Sequence, residues 1–413
     1  MKETGKKYCN SLCIKKAARI AIWAAFLLIL LFSARETART SNTDYRNYDQ
    51  GAVLLLADSI RASGNPFRTD ANRHPLFSAL LAATGITRPS DFPRAQAAAM
   101  AVGALFFILM FLAFGRTGPL ILSAFLAVAL ALPQGLPLFL TQAIPDLLFT
   151  LLNLFAWYFF AKSFGRWKYA FGGGALAGAA FLAKQSGFMT WGIYLACMAA
   201  FGLFHLLRRN RVPALGALKA FLAAAAVFAA VAAPLLHYNR TVHGRMLYNV
   251  NSDYYLWAES WKACQEFSTR SHDRAPEAVH RAALAAMGPA EVPSFRNFFA
   301  QHSIGFMLMR FKAGLHLNGL VWWNERGLFF LLLLVFVALY VYSTGWKAAF
   351  RRLLAPASLY SITYMMLYFA AMTWYAAIAF SLRFLYPLHA VLCAGLFLWL
   401  KENTDEGLIQ PPV

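Results

Sequence analysis

Residues 169–207, YAFGGGALAGAAFLAKQSGFMTWGIYLACMAAFGLFHLL, contain two apolar blocks separated by a single short polar turn. The blocks are 169–183 and 187–207, and the turn between them is only the three residues 184–186. The hydrocarbon layer of a bilayer is about 30 Å thick, and a helix of about 20 residues crosses it. The stretch therefore predicts two neighbouring transmembrane helices joined on one face of a membrane.

The rest of the chain repeats this pattern. Of its 413 residues, 60% are hydrophobic and only 14% are charged, whereas soluble domains carry roughly 25% charged residues. This composition excludes a soluble globular enzyme. Continuous apolar runs also predict helices, since the strands of a membrane barrel alternate in hydrophobicity. About ten blocks are predicted as transmembrane helices: 20–33, 95–114, 120–139, 147–161, 169–183, 187–207, 216–236, 327–345, 355–376 and 384–400.

The basic residues lie mainly in short loops between the apolar blocks, and they give the chain a net charge of +20. Such clustering is typical of loops that stay in the cytoplasm. It predicts an integral, multi-pass protein with both termini in the cytoplasm. Membrane lipids and a phosphate-bearing substrate are the expected partners of this charge. No nucleic-acid partner is expected, because no polar segment carries a basic stripe with interleaved aromatic residues.

Two polar segments are long enough to form structure outside the membrane. The first outer loop, 37–93, contains two amphipathic stretches at 52–60 and 76–83, which predict helices at the membrane interface. The second polar segment predicts one small outer domain. The predicted organisation is an N-terminal transmembrane module at 1–236, the outer domain at 237–325, and C-terminal transmembrane helices with a cytoplasmic tail at 326–413.

Four charged residues, Asp49, Asp146, Lys184 and Arg383, are predicted at the same outer membrane face with little loop around them. Charged groups at a bilayer are costly and are candidates for function. A carboxylate can deprotonate a hydroxyl or hold a divalent metal. Lysine and arginine neutralise phosphate, and arginine can do so with two hydrogen bonds. The combination predicts a site for an anionic, amphipathic ligand.

The first outer loop carries a specific spacing. An Asp is followed eight residues later by an Ala, then by Ser-Gly at the end of the same helix, and then by a basic residue before Pro-Leu. The residues concerned are Asp49, Ala57, Ser63-Gly64 and His74-Pro75-Leu76. This spacing resembles the first outer loop of the GT-C superfamily of membrane glycosyltransferases. The closest likeness is to the protein O-mannosyltransferase and aminoarabinose transferase group, which uses polyprenyl-phosphate sugars.

The loop departs from that family pattern in two places. The family often has Asp-Glu with a Tyr four residues on, whereas this chain has Asp49-Gln50 and Val53. A second register, with Asp44 as the acid, restores the tyrosine as Tyr48 but misses the Ser-Gly. Asp49 is therefore the preferred acid and Asp44 the alternative.

Later segments extend the resemblance over most of the chain. Each is similar to a family element in the expected order and on the expected membrane side: Pro145-Asp146-Leu147-Leu148-Phe149, Leu182-Ala183-Lys184-Gln185-Ser186-Gly187, Ala233-Pro234 to Asn239-Arg240 with Gly244, Asn249-Val250-Asn251, and Arg383-Phe384-Leu385-Tyr386-Pro387. The third element differs in order, since the chain reads Tyr238-Asn239-Arg240.

The resemblance implies an all-α polytopic protein of GT-C-like architecture in a bacterial inner membrane. Its activity would be transfer of a sugar from a polyprenyl-phosphate donor to a lipid, glycan or protein acceptor at the outer face. Asp49 would activate the acceptor, and Asp146 would assist it or orient the sugar. A single displacement implies inversion at the anomeric carbon, and the alternative is retention, which two carboxylates do not exclude. The residues implied to bind the lipid phosphate are His74, Lys184, Arg240 and Arg383.

The resemblance leaves the cofactor open. A divalent metal such as Mg or Mn would have Asp49 and Asp146 as its ligands, but two carboxylates do not complete an oxygen cage. Two other functions also remain open. One is a transporter or flippase of a lipid-linked anionic sugar, although the middles of the predicted spans carry almost no ionisable residues. The other is a non-catalytic membrane assembly factor, for which Asp49 would be dispensable.

Each candidate residue also has an ordinary structural role to set beside the functional one. Acids such as Asp49 and Asp146 commonly begin helices. Lys184 and Arg383 could extend to lipid headgroups, and His74 could be a structural or interfacial histidine. Four tryptophans predict an interfacial belt, with a sugar-stacking surface as the alternative: Trp257, Trp261, Trp322 and Trp323.

Overall fold

The computed structural model describes residues 2–70, 72–131, 133–273 and 277–407. Within these ranges the chain is built from helices and contains no strand. The predicted all-α fold is therefore confirmed for the part of the chain that the structure describes. The last residues of the predicted cytoplasmic tail, 408–413, lie outside it.

The α-helices differ widely in length, from short loop helices to one that extends from the predicted outer domain through a predicted span. In chain order they are α1 (Lys2–Thr40), α2 (Gln50–Ser63), α3 (Leu76–Ala83), α4 (Phe92–Met110), α5 (Leu120–Ala131), α6 (Leu136–Thr141), α7 (Asp146–Ser163), α8 (Tyr169–Ala183), α9 (Ser186–Leu207), α10 (Arg211–His243), α11 (Val250–Asp253), α12 (Trp261–Ser271), α13 (Glu277–Ala286), α14 (Phe295–Gln301), α15 (Ile304–Thr344), α16 (Trp346–Leu353), α17 (Pro356–Tyr375) and α18 (Leu382–Gly407).

Five of the described helical segments are long and apolar enough to cross a membrane, and the shorter helices α5 and α8 are also apolar. Such segments indicate a membrane-embedded helical protein. The five are Cys13–Thr40, Pro89–Gly115, Ser186–Leu207, Arg211–His243 and Leu382–Lys401.

Three predicted boundaries differ from the observed helices. The block 120–139 is divided between α5 and α6, because Pro133 lacks a backbone N–H and Gly135 follows it. The predicted domain limits at 236 and 325 fall inside α10 and α15. Apolar residues end where the hydrocarbon layer ends, whereas backbone hydrogen bonds can continue a helix into water. Hydropathy therefore locates a membrane surface better than a helix end.

Glycines in α8 allow its neighbours to approach closely. α8 packs between α7 and α10. A Cβ atom on Gly174 would lie 2.8 Å from the carbonyl oxygen of Ala224 in α10, so only glycine fits this contact. Small residues commonly set the distance between membrane helices. Here they fix the position of α8 between α7 and α10, and with it the position of the turn that follows at 184–185.

The first outer loop contains the two predicted short helices, α2 and α3, packed against each other. Val53, Leu54 and Ala57 of α2 are buried, as are Phe77 and Leu81 of α3. α2 ends at Gly64, whose backbone is left-handed (φ +66°), a conformation that glycine adopts without strain. The Ser-Gly pair thus has a local structural cause, which is helix termination.

The four tryptophans predicted as one interfacial belt differ in their surroundings. Trp261 and Trp323 are exposed by 49% and 59%. Trp322 stacks on Phe369 with ring centroids 5.4 Å apart, and Trp257 packs edge-on against Phe295 at 5.1 Å. Two of the four therefore belong to internal aromatic clusters.

Candidate functional site

Asp49 has an unusual backbone conformation. It immediately precedes α2 with a left-handed backbone (φ +70°), which costs a non-glycine residue about 1–2 kcal/mol. Its side chain makes no capping hydrogen bond to α2, so capping does not explain the residue. The carboxylate is half-exposed, with 49% of the side chain accessible.

Two arginines hold the Asp49 carboxylate. Arg73 donates from Nη2 to Oδ1 at 3.1 Å, and Arg383 donates from both Nη atoms to Oδ2 at 3.4 Å. Arg73 also donates to Asp70 at 2.8 Å. Burial acts to raise the pKa of Asp49, but the charges and hydrogen bonds of Arg73 and Arg383 outweigh it. The pKa therefore lies below its usual value, and Asp49 is ionised near neutral pH.

A second ion pair lies beside the first. Asp146 begins α7 with only 7% of its side chain exposed, and the Lys184 ammonium donates to its Oδ1. The Lys184 Nζ and the Arg383 Cζ lie 4.6 and 4.8 Å from the centroid of the Phe384 ring. Cation–π contacts of this length are favourable. The ring thus joins the two pairs, and the structure brings together Asp49, Asp146, Lys184 and Arg383.

A buried pair of amides positions Asp49 next to Asp146. Asn42 and Gln50, both 0% exposed, exchange hydrogen bonds: Asn42 Nδ2 donates to Gln50 Oε1 at 3.1 Å, and Gln50 Nε2 donates to Asn42 Oδ1 at 2.9 Å. The Ala143 N–H also donates to Gln50 Oε1 at 2.9 Å. We call Asn42 and Gln50 the amide clamp. It ties the start of α2 to the turn that leads into α7.

Two residues predicted to bind phosphate take no part in the two ion pairs. His74 is buried, 7% exposed, with its ring edge-on to Phe181 at 4.9 Å. Burial lowers its pKa to about 4, so the imidazole is neutral at pH 7 and does not supply a positive charge. Arg240 is exposed in the last turn of α10, outside both ion pairs.

Arg73 is the functional candidate that sequence reasoning missed. The pattern asks for a basic residue before Pro-Leu, and Arg73-His74 offers two neighbours. His74 directly precedes Pro-Leu, and the pattern therefore predicts it as the phosphate-binding residue. Of the two, however, only arginine is charged at every relevant pH. The alternative acid, Asp44, accepts from the Arg46 backbone at 2.9 Å and from its side chain at 3.2 Å, on an exposed part of the loop. Asp49 is the acid that contacts Arg73 and Arg383.

The predicted metal ligands are already engaged. Asp49 accepts from two arginines and Asp146 from a lysine. Among the described residues, no three His, Cys, Asp or Glu side chains are grouped to hold an ion. Mg²⁺ and Mn²⁺ favour oxygen ligands, so Asp49 and Asp146 would have to leave these basic side chains to bind such an ion.

Comparisons of the chain with known protein families, curated proteins and solved structures find no match.

Proposed function

We propose that this chain is a membrane glycosyltransferase with GT-C-like architecture. It transfers a sugar, with inversion, from a polyprenyl-phosphate donor to an acceptor at the outer face of a bacterial inner membrane. About ten spans with both termini in the cytoplasm put Asp49 and Asp146 on that face. One observation carries the proposal: a half-exposed carboxylate lies between two arginines and beside a buried Asp–Lys pair.

The site is neutral before the donor binds. Its three carboxylates and three basic side chains, which we call the charge cluster, are Asp49, Asp70, Asp146, Arg73, Lys184 and Arg383. A donor phosphate competes with Asp49 for the two arginines, because guanidinium groups bind phosphate with paired hydrogen bonds. Donor binding therefore frees the Asp49 carboxylate. The base becomes available only when there is a sugar to transfer.

The reaction then follows from the positions of these groups. The acceptor hydroxyl gives its proton to Asp49 while its oxygen bonds to the anomeric carbon. The bond between that carbon and the phosphate oxygen breaks, and its electron pair leaves with the polyprenyl phosphate. Arg73, Arg383 and Lys184 stabilise this departing charge. Asp146 holds Lys184 in place, and Asp49 later returns its proton to water.

The acceptor we favour is a lipid or glycan. The outer segment at 237–325 is small, which suits a compact acceptor better than a large folded protein. A donor anchored in the bilayer also reaches the outer face beside α2 and α3, where other membrane lipids are present.

The proposal is tested by cleavage of the donor. Wild type and Asp49→Asn are purified in detergent and given a panel of polyprenyl-phosphate sugars, with and without divalent metal, and release of polyprenyl phosphate is measured. We expect release by the wild type and at least a ~100-fold loss in Asp49→Asn, since loss of a general base commonly costs 10²–10⁴-fold. Asp58→Asn, on the exposed face of α2, is the matched control and keeps its rate.

Other outcomes point elsewhere. Loss of release in Asp44→Asn together with normal release in Asp49→Asn would make Asp44 the base. Saturable donor binding without release from any donor would favour a transporter. Neither binding nor release would favour an assembly factor and overturn the proposal.

A further inference from the structure

The outer segment contains a cavity that is separate from the charge cluster. Its volume is about 230 Å³, and it lies between residues 257–263, the loop at 290–293 and helix α14. This volume is too small for a folded protein and large enough for one six-membered ring of a small molecule. Its lining includes two aromatic side chains, which we call the wall, and a polar set, which we call the rim. The wall is Trp257 and Phe298, and the rim is Glu259, Glu291, Asn297, Gln301 and His302.

The aromatic wall is rigidly supported. Trp257 packs edge-on to Phe295 at 5.1 Å, and Phe298 packs edge-on to Trp374 at 5.3 Å. Arg310 ties the wall to the neighbouring helix, because it donates to the carbonyl of Ala258 at 2.7 Å and to that of Trp374 at 3.4 Å. The wall is therefore formed before a ligand arrives.

The rim is rich in hydrogen-bond acceptors. Asn297 donates its amide hydrogens to the carbonyls of Pro289 and Val292, at 2.6 and 2.8 Å, and Gln301 donates to Ala290 at 3.3 Å. Asn297 thereby uses both of its amide hydrogens, which leaves its amide oxygen as the remaining hydrogen-bonding atom of that side chain. The carboxylates of Glu259 and Glu291 add further acceptors.

The charges of the rim select against an acidic ligand. Glu259 accepts from His302 at 2.9 Å, and Glu291 pairs with Arg270. Both carboxylates and the His302 ring line the cavity, whereas Arg270 does not. A phosphate or carboxylate would meet like charge here. A ligand with many hydroxyl donors and no acidic group fits both the rim and the aromatic wall.

We propose that this cavity binds one neutral sugar ring, with its apolar face on Trp257 and its hydroxyls donating to Glu259, Glu291 and the amide oxygen of Asn297. That this ring belongs to the acceptor rests on the proposed function. Proximity supports the assignment. Trp374, which contacts the wall, is followed by Tyr375, whose ring lies 5.5 Å from that of Phe384, and Phe384 in turn contacts Lys184 and Arg383 of the charge cluster.

Binding is tested without the donor. Methyl glucoside, methyl galactoside and methyl mannoside are titrated into the purified full chain, and saturation transfer from protein to sugar is followed by NMR. All three are expected to bind saturably, because they share the ring and hydroxyls, while mannose 6-phosphate does not. Trp257→Ala is expected to weaken binding about tenfold, by loss of aromatic contact. Glu259→Gln weakens it several-fold, since charged acceptors make the stronger hydrogen bonds.

Trp261→Ala is the matched control, because Trp261 is exposed and does not line the cavity. The proposal is overturned if none of the three glycosides binds, or if Trp257→Ala and Trp261→Ala bind them equally. Donor cleavage by wild type and Asp49→Asn is measured in parallel. Sugar binding without donor cleavage would support the sugar-binding cavity and overturn the transferase proposal. Donor cleavage without sugar binding would support the transferase and overturn the sugar-binding cavity.

Discussion

Asp49 combines exposure with a fixed charge. Half of its side chain reaches solvent, while two arginines hold its oxygens and a left-handed backbone turns it away from α2. The lowered pKa means that the carboxylate stays ionised until the pH falls well into the acid range. A base of this kind is useful only if the arginines are drawn away when the donor enters.

Replacement of Arg73 should change the pH dependence. Arg73 lowers the pKa of Asp49, so Arg73→Gln raises it. Because the base works only when deprotonated, activity is lost as the pH falls through that pKa, and the acid limb of kcat/KM moves to higher pH. The plateau rate also falls about 100-fold, as expected for loss of one group that stabilises departing charge. The measurement is a pH–rate profile of polyprenyl phosphate release.

Arg46→Gln is the control for this change, because Arg46 is exposed and pairs with Asp44 instead. It should keep the profile of the wild type. An unmoved acid limb in Arg73→Gln would mean that Asp49 is not the titrating base.

The grouping of Asp49, Asp146, Lys184 and Arg383 could be predicted because short loops between apolar blocks leave charged residues at one membrane face. The place of Arg73 could not be predicted. The direction of the Arg73 side chain depends on Asp70, which accepts hydrogen bonds from the Arg73 backbone N–H, at 2.6 Å, and from the Arg73 guanidinium. The hydropathy pattern of the sequence does not predict such a local turn.

At the scale of helices, the amide clamp explains why this chain has Gln50 where the resembled family often has Glu. The Gln50 side chain must donate to Asn42 and accept from Ala143 at once. A carboxylate can only accept, so it would face the Asn42 oxygen without a proton between them.

Gln50→Glu should therefore weaken both stability and activity. A buried carboxylate without its partners costs roughly 3 kcal/mol, and a released α2 would move Asp49 from its arginines. We expect a lower midpoint of thermal unfolding and slower donor cleavage. Gln265→Glu, an exposed position in α12, should leave both unchanged. Equal behaviour of the two variants would show that the clamp does not position the site.

The packing of α8 gives a second prediction at this scale. Gly174→Ala places a methyl group 2.8 Å from a backbone oxygen of α10, which cannot rotate away. We expect a loss of about 2 kcal/mol from overpacking, seen as a lower unfolding midpoint in detergent. A Cβ on Gly192 in α9 meets nothing within 4 Å. Gly192→Ala should be neutral or slightly stabilising, and an equal loss in both variants would contradict the close-packing argument.

For the molecule as a whole, the orientation in the membrane can be tested by labelling. The proposed ten-span topology puts Ser41 outside and Asn210 in the cytoplasm, and both residues are exposed. Single cysteines introduced there, in a chain whose five native cysteines are replaced, should differ in intact cells. An impermeant maleimide should label Ser41→Cys at once and Asn210→Cys only after permeabilisation. Labelling of both from outside would exclude this orientation.

Helix α15 is one continuous helix that begins in the outer segment and includes all but the last residue of the predicted span 327–345. Its 41 residues extend about 60 Å, roughly twice the hydrocarbon thickness. A continuous helix that crosses a membrane surface without a hinge transmits any tilt of its membrane-embedded half to its outer half. Membrane helices tilt when the bilayer becomes thinner than their apolar length. If the predicted span crosses the bilayer, Arg310, which contacts the proposed sugar-binding cavity from the outer half of this helix, shifts with that tilt, and the lipid composition around the protein then alters ligand binding in the cavity.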